Sequence, residues 1–286
     1  MLMALIPCAL YAETPERQNW NDRMKLRGDV AQVIIRECDA TMEGDALVAN
    51  EEKSCTTYIF DENGNVVKRI NHINQTYEYR YEGELLMRMT KYDEQGNEVE
   101  FEEYSYNDAG KVLSIKSYYS DELFSESTFE YDEQNQLIIR SDNDNMMGRI
   151  KTYYEYDDKG QLISTHSSSP KMPAMGNNYT YDDKGRLSTR ADYMEFIGLC
   201  TIELEYDEND NVTSMLYIMD EANRSITYYT YDEHNNLTSI KSYNFEGDVD
   251  KDVRYEYRYD EHNNAVEIVE YNNGTIRVTT YEITYR

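Results

Sequence analysis

Basic residues are scarce in this chain. Its 286 residues hold 28 Lys and Arg against 56 Asp and Glu, a formal net charge of −28. A phosphate binder needs a basic face, so no nucleic acid partner is expected, and anionic membrane surfaces are disfavoured. Chemistry-bearing motifs are missing too. No nucleophile elbow, phosphate-binding loop or zinc motif occurs, so no cofactor and no enzymatic activity are expected. Beyond the first twelve residues no apolar run is long enough for a transmembrane helix, and no membrane span is expected. Phe (6) and Trp (1) are few, whereas Tyr reaches 29. Tyr suits a pleated, half-buried surface, with its ring packed and its hydroxyl wet.

The opening "MLMALIPCALYA" is apolar and uncharged. Residues 1–12 read as a signal-peptide remnant, 13–28 as a polar N-terminal segment and 29–286 as one β domain. Export follows, with the periplasm, the cell surface or the medium as the expected destinations. Cys38 and Cys55 border the β-like runs "VAQVIIREC" and "CTTYIF". An export context permits a cross-strand disulfide between them, and two unpaired thiols remain the alternative. Cys200 lies in the strand-like "IGLCTIELEY" and reads as a buried thiol.

The dominant signal is a repeat. Aromatic anchors stand at Phe60, Tyr81, Tyr106, Tyr131, Tyr156, Tyr181, Tyr206, Tyr231 and Tyr259, with an echo at Tyr285, and from Tyr81 to Tyr231 every step is 25 residues. Each anchor ends an alternating stretch such as "YEY" and is followed by a turn such as "DENGN", "DDKGQ" or "DEHNN". There Asp caps its own turn, and Gly or Asn accepts a positive φ. An apolar residue follows six beyond the anchor: Val66, Val112, Leu137, Leu162, Leu187, Val212 or Leu237. The unit is a hairpin. Its second turn varies along the chain, as at 142–148, 167–178, 191–199, 218–224 and 244–252. The predicted fold is therefore all-β: an antiparallel hairpin array of about ten units of roughly 25 residues, an elongated or curled meander sheet. Strands after the turns, such as "VLSIKSY", carry apolar residues on both faces. That requires either cover on both sides or a shell with bulges.

"YTYDDKGRL" at Tyr179–Leu187 and "YEYDDKGQL" at Tyr154–Leu162 resemble the YD repeat of RHS-type proteins, as do "YTYDEHNNL" and "TFEYDEQNQL". The resemblance covers about Thr57 to Arg286 and implies a continuous β-hairpin array, which winds into a shell in large members of that family. The 25-residue period is longer than that family's, and Asn135, Asp210 and Asn235 stand where its pattern has Gly.

Three functions follow as expectations, in order. The first is a non-catalytic binding or structural scaffold displaying the variable turns to an unknown protein or glycan. The second is a carbohydrate-binding module, with Tyr79, Tyr104, Tyr154, Tyr179, Tyr229 and Tyr257 as a stacking platform; a core layer of cross-strand aromatic pairs is the plainer reading of that row. The third and weakest is a glycoside hydrolase using paired acids such as Asp157/Asp158 or Asp182/Asp183. No metal site is expected, since the acidic turns lead straight into apolar strands and lack the distal acid of a calcium loop.

Overall fold

A computed structural model describes Met24 and residues 26–144, 148–195 and 198–286. The leader, and most of segment 13–28, lie outside the described residues. Twenty strands form among the described residues. The first seven are β1 (Val30–Glu43), β2 (Ala46–Phe60), β3 (Val66–Ile70), β4 (Thr76–Glu82), β5 (Leu85–Tyr92), β6 (Glu98–Tyr106) and β7 (Val112–Tyr119). Then come β8 (Glu122–Tyr131), β9 (Leu137–Asp144), β10 (Gly148–Tyr156), β11 (Leu162–Ser169), β12 (Met172–Tyr181), β13 (Leu187–Met194) and β14 (Gly198–Tyr206). The last are β15 (Val212–Ile218), β16 (Arg224–Tyr231), β17 (Leu237–Tyr243), β18 (Val249–Tyr259), β19 (Ala265–Asn272) and β20 (Thr275–Tyr285).

All twenty belong to one antiparallel sheet. β1 pairs with β2 and also with β20, from Val30 opposite Tyr285 to Ala40 opposite Ile276. The first and last strands are joined, so the sheet has no free edge at either. This corrects the expected open array, whether elongated or curled. An open meander would leave two rows of unpaired N–H and C=O groups, and the β1–β20 ladder removes both. A 25-residue period fixes which strands are neighbours in sequence; it carries no mark for a pairing across 257 residues.

The expectation of no membrane span is corrected with it. No helix among the described residues is long and apolar enough to cross a membrane, but that test does not reach strands. A closed antiparallel sheet satisfies its backbone within itself, the condition under which strands cross a bilayer. Apolar run length therefore carries no argument against a span in this fold.

Contacts divide the chain into two units. One comprises Tyr106–Ile115 and Phe124–Asp252. Its core holds Val112, Phe129, Leu137, Tyr154, Leu162, Tyr179 and Leu187, with Tyr131, Tyr156, Tyr181 and Leu204 packed against them. All come from the ends of strands at the Asp- or Asn-capped turns. Farther along the same face the side chains turn polar, as in the Thr152–Ser167 hydroxyl pair at 2.9 Å. The opposite face carries exposed Arg149, Tyr153, Glu155, Glu203 and Glu205.

The second unit holds the described residues up to Ser105, with Lys116–Leu123 and Val253–Arg286. Val30, Val33, Phe60 and Val66 form a core there, flanked by Tyr58, Tyr79, Tyr281, Ile283 and Tyr285. The chain ends are latched beside it. The buried Asn264 accepts from the Arg27 backbone N–H at 2.7 Å, donates to the Arg27 carbonyl at 2.8 Å and donates to the Tyr285 hydroxyl at 2.7 Å. Arg286 donates to the carbonyl of Phe60 and pairs with Asp29. Gly28 passes under the Tyr285 ring at φ +88°, where an added Cβ would stand 3.2 Å from Cε1.

The apolar residues on both faces of the outgoing strands trace to a register shift beside eight of the nine anchors. In β10–β11, Glu155 faces Ser164 but Tyr156 faces Leu162. The extra residue, Ile163, is a bulge. Leu162 and Thr165 then share the tyrosine-bearing face at a spacing of three. The same shift recurs beside Phe60, Tyr81, Tyr131, Tyr181, Tyr206, Tyr231 and Tyr259.

Candidate functional site

Two edges of the sheet differ in chemistry. On the first, eight of the nine turns open with an acid or amide that caps them, the exception being the two-residue Gly83–Glu84 hairpin between β4 and β5. Asp157 accepts from the backbone N–H of Lys159 and Gln161 at 2.9 and 2.8 Å, and Asp182 accepts from Lys184 and Arg186 at 2.9 Å each. The fourth residue of these eight has positive φ: Gly64, Gly110, Asn135, Gly160, Gly185, Asp210, Asn235 and Asn263. The fifth reaches the neighbouring turn. Gln136 Nε2 donates to the Gly160 carbonyl and Gln161 Nε2 to that of Gly185, both at 3.2 Å. Arg186 Nη1 meets Asp210 at 2.7 Å, and Asn211 Nδ2 meets Asn235 at 2.9 Å. Asp157 and Asp182, proposed as acids of a hydrolase, are thus occupied in holding turns.

Anchor hydroxyls add a second rank of bonds. Tyr81, Tyr131, Tyr156, Tyr181, Tyr206 and Tyr231 donate to the carbonyls of Val66, Val112, Leu137, Leu162, Leu187 and Val212 at 2.6–3.0 Å. Each takes the carbonyl of the apolar residue one unit earlier. Burial pushes the phenols of Tyr131, Tyr156 and Tyr231 up to about 12.

The other edge is not uniform. Asn71, Asp93 and Asn244 open turns of the same capped form. Ser120 and Asp121 make a two-residue hairpin with both φ positive. The stretch 167–178, expected as one of the variable turns, is almost all strand. β11 runs to Ser169, β12 begins at Met172, and a register shift between Ser167 and Ser169 accommodates Pro173.

Of the candidate platform, Tyr154, Tyr179 and Tyr229 are 5–9% exposed. With Phe129 they occupy the position two before the anchor, on the core face. Tyr79, Tyr104 and Tyr257 take the same position and are half-buried. Tyr104 donates to Glu102 at 2.5 Å, and the Tyr257 ring stacks on Tyr259 at 6.0 Å. The first three present no ring face to a sugar. In β1–β2 the register sets Cys55 opposite Arg36 and Cys38 opposite Glu52, and both are free cysteines. Cys200 is half-buried opposite Asp192.

One set of residues was not singled out from the sequence. Arg69, Arg140 and Arg190 each stand nine beyond an anchor, on the tyrosine-bearing face. Arg140 Nε donates to Asp142 at 2.9 Å, and Arg190 Nε donates to Asp192 at 3.1 Å with Nη2 at 2.8 Å. Arg69 lies across from Tyr58 and Tyr77, with its guanidinium carbon 3.9 Å from the Tyr77 ring centre. Its Nε is buried without a hydrogen-bond acceptor among the described residues. Such a group costs about 1–3 kcal/mol. The signal was available as Arg-x-Asp at the same offset in two units. On the opposite face a shallow polar depression of about 260 Å³ is lined by Glu126, Thr128, Ser141, Asn143 and Arg149.

No protein-family model matches the chain, and no curated protein matches it in sequence. Among solved structures, it is similar to a chain in the TcdB2–TccC3–Cdc42 crystal structure at 12% identity and TM-score 0.36, covering 89% of this chain and 17% of that one. It is similar to a chain of the Photorhabdus luminescens Tc holotoxin pore at 14% identity and TM-score 0.34, covering 90% and 17%. A porin-like protein from Bacteroides uniformis matches at 12% identity and TM-score 0.36, covering 89% and 96%. The chain thus spans about a sixth of the length of the first two. Likenesses of this size support no conclusion about function.

Proposed function

We propose that this is an exported, non-catalytic scaffold of RHS/YD-repeat type that binds a protein or glycan through its less regular turn edge. The observation that carries the reading is the division of labour between the edges. Six anchor hydroxyls, the caps and four fifth-position side chains of one edge are committed to hydrogen bonds within the sheet. The turns at the other edge differ in length and chemistry, and loops on a rigid frame are where recognition is placed. Closed antiparallel sheets are a strand architecture of bacterial outer membranes, which agrees with export to the cell envelope. The finer assignment, to periplasm, surface or medium, belongs to this proposal.

The test is turn exchange. Met219–Asn223 is replaced by Asp-Glu-Asn-Gly-Asn, copied from Asp61–Asn65, in the full chain. Binding of both chains to a polysaccharide panel and to envelope proteins is compared. Selective loss of a partner at unchanged thermal stability supports the reading. Identical binding profiles after this exchange and the matching one at 120–121 would overturn it.

A further inference from the structure

We infer that Arg69 is a binding point for the carboxylate of a small ligand. The argument starts from the two arginines at the equivalent position. Arg140 and Arg190 both use Nε to hold a carboxylate two residues along the same strand. β9 and β13 are eight residues long, so their Asp142 and Asp192 fall within the strand, on the arginine's face. β3 has only five residues, Val66–Ile70. The corresponding position is Asn71, already outside the strand. Its side chain caps the turn, accepting from Ile73 and Gln75 at 3.2 and 2.9 Å and donating to Gln75 at 3.1 Å. The internal acid is therefore missing at Arg69 for a stated reason, and the unbonded atom is the same Nε that takes the acid in the other two units.

The surroundings suit a carboxylate. Tyr77 holds the guanidinium by its ring face, and Tyr58 stands on the other side. Two acids lie nearby: Glu78 is taken by Lys68 at 3.2 Å on the opposite face, and Glu102, beside Tyr79, accepts from the Tyr104 hydroxyl. Arg69 as a whole is partly exposed, so a ligand can reach the guanidinium. Bidentate geometry favours carboxylate over a neutral amide. The site stands apart from the turn-display reading, and either can fail alone.

The test follows the Arg69 Nε–Hε NMR resonance of the full chain during titration with sodium acetate at constant ionic strength, with acetamide as the neutral match. A saturable shift at Arg69 with acetate and none with acetamide is expected. Arg69→Lys keeps the charge and the fold but should weaken acetate binding at least tenfold. Asp192→Ala should make Arg190 a second responder. D-glucuronate and N-acetylglycine then separate a sugar acid from a peptide carboxylate, and the source is whichever binds more tightly than acetate. A silent Arg69, an equal response to acetamide, a Lys variant that binds as well, or both ligands weaker than acetate would each overturn the assignment.

Discussion

The hydroxyl of Tyr156 donates to the carbonyl of Leu137 at 2.9 Å. The last backbone pair of β9 and β10 in that direction is Ile139 with Tyr153. The phenol thus continues the ladder past the point where backbone pairing stops. Tyr156→Phe keeps the ring and strands the carbonyl. Stability should fall by about 1–3 kcal/mol, read from urea denaturation midpoints. An unchanged midpoint would mean that water replaces the phenol at no cost.

Alkali should act on the same groups. The phenols of Tyr131, Tyr156 and Tyr231 are raised by burial from 10.0 to about 12. Between those values the folded chain keeps protons that the unfolded chain has lost, so the stabilisation is full below pH 10 and fades as pH rises toward 12. At the acid end the sign reverses. Hydrogen bonds from Asn97, Arg186 and Asn211 hold Asp93, Asp182 and Asp207 below their ordinary range. That contribution is present above the usual Asp value and is lost as pH falls through the lowered ones. Denaturation midpoints across pH check both; a flat profile between 10 and 12 would contradict the first.

Gly185 sits at φ +82°, and the same turn position holds Asn135, Asn235 and Asn263 at φ near 60°. Gly185→Asn should therefore cost no more than about 0.5 kcal/mol. Gly185→Val forces a β-branched residue into the left-handed region and should cost about 1–2 kcal/mol or more. Thermal melts of the two variants give the comparison, and equal losses would sink it.

Asn264→Ala removes three bonds at once, two of them to the backbone of Arg27. A loss of about 2 kcal/mol or more is expected. Hydrogen exchange should accelerate first in Val30–Ile35 and Tyr281–Tyr285, which form the seam between β1 and β20. Uniform acceleration over all strands would mean that the latch is not local.

Much of this fold was legible because each unit writes its own hairpin. The Asp cap, the positive-φ residue four along and the apolar residue six beyond the anchor are local features, and local chemistry decides them. The bulge at Ile163 was legible only as a failure of alternation. The β1–β20 pairing left no local trace, since Val33 and Ile283 look like ordinary strand residues until they are set opposite each other. The turn at 167–178 was misread because Pro170, Pro173 and Gly176 mark turns in most contexts, whereas Gly176 here lies in a strand, 2.8 Å from the Thr165 carbonyl measured to an added Cβ. Arg69 was missed because a lone arginine means little until its two counterparts are seen with their acids.

The seam between β1 and β20 also sets a schedule for biosynthesis. Asp29 and Arg286, which meet in the finished protein, are 257 residues apart. At roughly 5–20 residues per second, β20 is synthesised on the order of ten to fifty seconds after β1. During that interval a long strand with Val30, Val33 and Ile35 offers an open flank to any other nascent chain. The β1 flank therefore stays unpaired until β20 is available to it, whether folding follows synthesis or export.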